Sequence, residues 1–135
     1  MILKKMIGGL LCGAVLVSTI GVSASAAETD TVSGTCSGVG VVGSALITEH
    51  TATATTSHMG ASTEGTVKVN CTNEYRDVSA GVTKTATGSG TGKNHVTKEF
   101  NVYEEDYMKS LKTTHSVAVR TGTWSDKTSV TYTKR

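Results

Sequence analysis

The densest group of chemically active side chains in this sequence is the acidic trio Glu104, Glu105 and Asp106. Adjacent carboxylates offer the oxygen ligands that calcium prefers, but calcium loops place their ligands at alternate positions around a glycine. We therefore interpret the trio as the solvated first turn of a helix and predict no metal site. The histidines do not predict a metal site either, because none has the spacing of a zinc ligand pair. The four histidines are His50, His58, His95 and His115.

Motifs for nucleophilic or phosphate chemistry are also missing. No serine lies in a Gly-x-Ser-x-Gly turn of the kind that exposes a hydrolase nucleophile. The glycine-rich segment 88–93 ends in Lys93, yet it lacks the full spacing of a phosphate-binding loop, and we interpret it as a hairpin loop. The sequence therefore predicts a protein that is not an enzyme and uses no cofactor.

Aromatic side chains are the remaining candidates for a site, and several fall in the last third of the chain. If Trp124, Tyr107 and Tyr103 were exposed together, they would form a patch able to stack on a carbohydrate or to anchor a protein. The alternative is that they fill the core. Val, Ile, Leu and Phe make up only 17 of the 109 residues from Ala27 onward, so the core is short of bulk.

Short strands are the elements predicted to position these residues. Threonine and valine are abundant and alternate with residues of opposite polarity, which is typical of a strand with one buried face. The pattern predicts about seven strands, at 38–48, 50–57, 65–73, 79–87, 95–103, 114–121 and 128–134. Many short strands of this kind indicate an all-β fold, a small antiparallel β-sandwich that is immunoglobulin-like or barrel-like.

One segment departs from the alternation. Tyr103, Tyr107 and Leu111 recur every four residues, acids open the stretch and lysines close it. This arrangement complements a helix dipole at both ends. The sequence therefore predicts a short helix over 103–112 that caps one end of the sandwich.

Two cysteines, Cys36 and Cys71, remain once the first 26 residues are set aside. In an oxidising compartment such a pair usually forms a disulfide. Closing the loop from Cys36 to Cys71 would lower the conformational entropy of the unfolded chain and so stabilise the fold by about 4 kcal/mol. The alternative, free thiols in redox or metal chemistry, lacks the Cys-x-x-Cys spacing. We therefore predict a disulfide that links Cys36 to Cys71 and stabilises a thin core.

The first 26 residues have the organisation of a secretory signal peptide. Lys4 and Lys5 precede an uncharged stretch rich in Leu, Ile, Val, Gly and Ala, which leads to the small-residue cleavage site Ala24-Ser25-Ala26. Polar sequence follows without a basic stop-transfer flank, so no permanent membrane span is expected. We predict a cleavable leader, residues 1–26, and a single secreted, extracellular Thr-rich domain, residues 27–135.

The net charge of this domain limits the kinds of partner that it is expected to bind. Its 11 basic and 11 acidic residues cancel, which leaves no basic footprint for nucleic acid or anionic lipid. The lack of catalytic motifs then favours an extracellular binding module that recognises a surface glycan or protein. Two alternatives stay open: a secreted bacteriocin-like antibacterial protein, and an extracellular structural subunit that self-assembles through strand edges.

Overall fold

Eight β-strands make up the computed structural model, which describes residues 27–60 and 65–134. The strands are β1 (Glu28–Cys36), β2 (Val39–Ile47), β3 (Thr51–His58), β4 (Thr66–Asp77), β5 (Val82–Lys93), β6 (His95–Asn101), β7 (Tyr107–Val119) and β8 (Gly122–Thr131). The predicted leader, residues 1–26, lies outside these ranges. Within them there is no helix with the length and apolar character needed to cross a membrane.

The strands form two four-stranded antiparallel sheets that share one core. The first sheet has the order β1-β2-β3-β6 and the second has the order β5-β4-β7-β8. This confirms the predicted all-β sandwich, with eight strands in place of about seven. The chain passes from β5 in the second sheet to β6 in the first through Asn94, whose φ of 59° lies in a region that asparagine tolerates.

Alternating side chains explain why these segments are strands. In β3, Ala52, Ala54 and Thr56 are buried, while the residues between them lie nearer the surface. In β4, Val67 and Val69 are buried and their neighbours are exposed. Branched residues suit an extended backbone, and the inward members of each strand together form the core.

The strand that the sequence pattern did not predict is β1. Its inward positions include Val32, which is buried, but also Asp30 and Gly34, so no continuous apolar row is visible. Gly34 is needed because the Trp124 indole lies over it, with Nε1 2.5 Å from where a Cβ would stand. A glycine in one sheet thus makes room for a large ring from the other, and a core short of bulk is filled in this way.

The glycine-rich segment 88–93 belongs to β5 and is not a hairpin loop, which corrects the prediction. Gly88, Gly90 and Gly92 occupy successive inward positions, and β6 packs directly against them. A Cβ on Gly90 would stand 2.9 Å from Val96 Cγ2. The glycines therefore allow a close approach of the two sheets, whereas their composition alone indicates a loop.

The predicted helix over 103–112 is wrong. Residues 102–106 form a turn, and β7 begins at Tyr107. Met108 and Leu111 of β7 are both fully buried, although they are three residues apart, because a β-bulge interrupts the register between β7 and β4. The bulge changes the spacing of inward residues from two to three, and this spacing resembles helical periodicity.

The predicted disulfide is also wrong, because Cys36 and Cys71 are both buried as free thiols. Cys36 ends β1 in the first sheet, and the adjacent Ser37 Oγ lies 2.6 Å from Thr121 Oγ1 in the turn before β8. Cys71 lies in β4 of the second sheet, level with Thr128 of β8. Seven residues of extended chain, about 23 Å, separate these two levels, and a disulfide needs Cα atoms within about 7 Å.

Candidate functional site

The outer face of the second sheet carries a regular array of polar side chains. The antiparallel register aligns them in four rows, each crossing β5, β4, β7 and β8. Their side chains point outward, because the residues between them on β4 and β7 are buried. We call these residues the lysine face: Lys93, Thr66, Ala118 and Thr123 in row one; Thr91, Lys68, Ser116 and Ser125 in row two; Ser89, Asn70, Thr114 and Lys127 in row three; Thr87, Thr72, Lys112 and Ser129 in row four.

Rows three and four, with Asp30 of β1 at their margin, line an open groove of about 970 Å³. The carboxylate of Asp30 is engaged within the protein, since its Oδ2 accepts a hydrogen bond from Ser129 N at 2.9 Å. The groove itself presents hydroxyl, amide and ammonium groups from four adjacent strands. It can therefore donate and accept several hydrogen bonds along one line of contact.

Charge on the lysine face is of one sign. Each row contains one lysine, and all four lysines are exposed. The ion pairs formed within the described ranges lie elsewhere, joining Lys84 to Asp77 at 2.6 Å and Lys134 to Glu49 at 3.1 Å. Glu74 lies on β4, two residues beyond row four, and accepts a hydrogen bond from Ser110 Oγ of the neighbouring strand β7. The face is thus a local basic surface on a nearly neutral protein.

Cys71 lies beneath the groove but does not offer it a nucleophile. Its side chain points into the core and is 4% exposed. Burial raises the pKa of the Cys71 thiol, and the opposing effects of the Thr113 hydroxyl and the Lys98 charge are smaller. The thiol is therefore held in its protonated form, which is the unreactive form.

A buried histidine joins the two sheets behind the lysine face. The ring of His115 in β7 is fully buried and lies 2.8 Å from the hydroxyls of both Thr56 and Thr128. Thr56 donates its own proton to Lys68 O at 3.2 Å, so it must accept from His115 Nδ1–H. In the neutral ring, Nε2 then accepts a hydrogen bond from the Thr128 hydroxyl.

The environment of His115 keeps the ring uncharged. Burial lowers its pKa to about 4, against the smaller opposing effects of Asp126 and Asp30. Its role is therefore structural. Sequence reasoning considered His115 only as a metal ligand and did not place it in the core, although it lies in phase with the inward Val117 and Val119.

The three residues of the predicted aromatic patch are not brought together. Trp124 is half-buried on β8 and packs against the core over Gly34, which is the alternative considered above. It lies opposite Val117, ten residues along β7 from Tyr107, so the two aromatic residues are about 30 Å apart. Tyr103 is 77% exposed in the turn before β7, at the same end as Tyr107.

A smaller concavity lies at that end, between the β4–β5 hairpin and the turn that contains Tyr103. The hydrogen bond from Lys84 is the main cause that lowers the pKa of Asp77 to about 2. Asp106, from the acidic trio, accepts a hydrogen bond from Val78 N at 2.9 Å. These carboxylates stabilise turns, and no group of three His, Cys, Asp or Glu within residues 27–60 and 65–134 is arranged to hold a metal ion.

Comparison with protein-family models, with curated proteins and with solved structures found no match to this chain. A proposal for its function must therefore come from the residues themselves. Sequence reasoning missed the lysine face because its four lysines lie on four different strands, and only the register brings them onto one surface. The available signal was the run of polar outward positions in β4, at Lys68, Asn70 and Thr72.

Proposed function

We propose that this protein is a secreted, non-enzymatic binding module that recognises a surface glycan through the lysine face. The observation that carries the proposal is the groove of rows three and four, where hydroxyl, amide and ammonium groups stand in fixed register. Glycans are rich in hydroxyl groups and ether oxygens, which are the partners that such groups bind. A site built on paired strands also loses little conformational freedom when a ligand binds.

A glycan fits this face better than a protein partner does. The centres of protein interfaces are enriched in aromatic residues and methionine. The lysine face contains none of these, and its largest apolar group is the methyl of Ala118. Ten of its sixteen residues are serine or threonine, so polar contacts must supply the recognition.

Self-assembly through strand edges is less favoured, because the sandwich protects its edges. Asp30 of β1 accepts a hydrogen bond from Ser129 N of β8, so a side chain already occupies a backbone group that an added strand would use. On the opposite side, β6 packs against the inward glycines of β5. Strand addition at β8 would have to displace the contact between Asp30 and Ser129.

Export is part of the proposal, and the predicted leader supports it. If residues 1–26 are removed after Ala26, the protein recovered from culture medium begins with Ala27. Intact mass spectrometry of the medium and of the cell lysate measures this directly. Protein confined to the cytoplasm with its leader attached would contradict export without bearing on the binding face.

Binding is tested by retention of the secreted protein on isolated surface polysaccharides. Thr72→Leu combined with Thr114→Leu removes two hydroxyls from the groove. We expect a loss of affinity of about 10- to 30-fold, since each lost hydrogen bond contributes about 1 kcal/mol. The matched control combines Thr53→Leu with Thr55→Leu on the outer face of the first sheet, and it should bind like the wild type.

Two outcomes would contradict the binding function. One is equal loss in the groove variant and in the control, because the contact would then not be specific to this face. The other is no retention on any polysaccharide fraction. Growth inhibition of related bacteria without such retention would instead favour the bacteriocin-like alternative.

A further inference from the structure

The four lysines of the lysine face form a ladder along the strand direction. From row one to row four the lysines are Lys93, Lys68, Lys127 and Lys112. Successive rows are about 7 Å apart along the strands, and neighbouring strands lie about 4.8 Å apart. Because each lysine lies on a different strand, consecutive lysines are about 8 Å apart where their strands are adjacent and about 12 Å apart between Lys68 of β4 and Lys127 of β8. The face therefore presents one positive charge per row over a length of about 20 Å.

Within the described residues, no lysine of this ladder forms an ion pair with a carboxylate. Asp30, at the margin of the groove, accepts a hydrogen bond from Ser129 N, and Glu74, level with the row beyond row four, accepts one from Ser110 Oγ at 3.0 Å. Neither carboxylate forms an ion pair with a lysine of the face. The ladder is thus available to an external anion.

The chemistry of the face excludes recognition by stacking. Neutral sugar rings and nucleobases are commonly held against aromatic side chains, and base stacking contributes a large part of single-strand binding. None of the sixteen residues of the lysine face is aromatic. Affinity must therefore come from charge and from hydrogen bonds to a flexible, hydroxylated chain.

The cation type indicates how an anion would be held. Arginine binds carboxylates and phosphates through two parallel hydrogen bonds, whereas lysine acts as a compact point charge. The face has four lysines and no arginine. A phosphodiester, with one charge and two free oxygens per repeat, suits one lysine per row with serine and threonine hydroxyls beside it.

We infer that the lysine face binds a linear phosphodiester-linked polyol or sugar chain, whose phosphates meet lysines that stand about 8 to 12 Å apart across the four strands. This inference depends on the proposed function and specifies its ligand class. The chain runs obliquely across the strands, each lysine pairs with one phosphate, and the hydroxyls and amide of rows three and four bind the polyol between the phosphates.

Titration of the secreted protein with poly(glycerol phosphate) at several salt concentrations tests the inference. Four lysine–phosphate contacts predict that log affinity falls with log salt with a slope of about 2 to 3, or roughly 15- to 60-fold weaker binding at 200 mM than at 50 mM salt. Lys112→Gln combined with Lys127→Gln should halve this slope. The matched control, Lys84→Gln combined with Lys134→Gln, removes the same charge away from the face and should leave the slope unchanged.

Parallel titrations with other polymers separate the outcomes. Tighter binding of poly(glycerol phosphate) than of polygalacturonate and single-stranded DNA, with the reduced slope in the double variant, supports the inference. Equal binding of polygalacturonate, or tighter binding of DNA, overturns it. Retention on a neutral glycan that is insensitive to the lysine substitutions overturns this inference but leaves the proposed function intact. No binding to any glycan overturns both.

Discussion

Acidification should destabilise this protein through one side chain, His115. The ring bridges Thr56 of the first sheet and Thr128 of the second, and burial favours its neutral form. Protonation of Nε2 would force the Thr128 hydroxyl to give up its donated hydrogen bond and would place a charge in the core. The perturbation is therefore a change of pH from 7 to 4, compared between the wild type and a variant that lacks the ring.

The size of the effect follows from the two pKa values of His115. Its pKa is about 6.5 in the unfolded chain and is lowered to about 4 in the folded protein, chiefly by burial. The unfolded state thus binds more protons between these values. The stabilisation is fully present above pH 6.5 and is lost as the pH falls toward 4. It amounts to about 3 kcal/mol, a large share of the stability of a small domain.

Urea denaturation at pH 7, 5.5 and 4 measures this loss. His115→Gln keeps a donor and an acceptor but cannot titrate, so its unfolding free energy should change by about 3 kcal/mol less than that of the wild type. His95→Gln removes an exposed histidine and should retain the full dependence. An unchanged pH dependence in His115→Gln would refute the reasoning, as would a folded-state NMR titration of the His115 ring near pH 6.5.

Three further predictions concern packing, redox state and charge. Gly90→Ala should lower the unfolding free energy by about 1–3 kcal/mol in urea denaturation, because its Cβ would press on Val96 Cγ2. The control Gly40→Ala makes only an ordinary contact and should lower the unfolding free energy by less than about 1 kcal/mol. Denatured protein from culture medium should react with two equivalents of a thiol reagent without prior reduction, and a mass lower by two hydrogens would contradict the free cysteines. The Asp77 carboxyl, held by Lys84, should titrate near pH 2 in NMR spectra, and a midpoint near 4 would show that this pair is not formed.

Strict alternation explains why most strands could be predicted. In β3 and β4, small or branched residues alternate between buried and exposed positions without interruption. The predicted 50–57 and 65–73 therefore match the observed Thr51–His58 and the first part of Thr66–Asp77. Local side-chain pattern was sufficient here because each strand buries one face.

The errors arise where the inward position is not an apolar side chain. Gly88, Gly90 and Gly92 are inward because a partner sheet needs the space, and no single strand records the shape of its partner. The bulge in β7 likewise depends on the register with β4. The cysteines are both buried, but the distance between them is a property of the assembled sandwich. The lysine face was missed for the same reason, because the register between strands, and not proximity in the sequence, brings its four lysines together.

The alternation in β5 has a practical consequence for engineering. Positions 88, 90 and 92 face β6 at close range, while positions 87, 89 and 91 project from the lysine face and have no role in the core. A combinatorial library confined to those three outward positions would vary the chemistry of one margin of the face on an unchanged scaffold. The edge strand β5 therefore separates residues that shape the core from residues that can be varied at the surface.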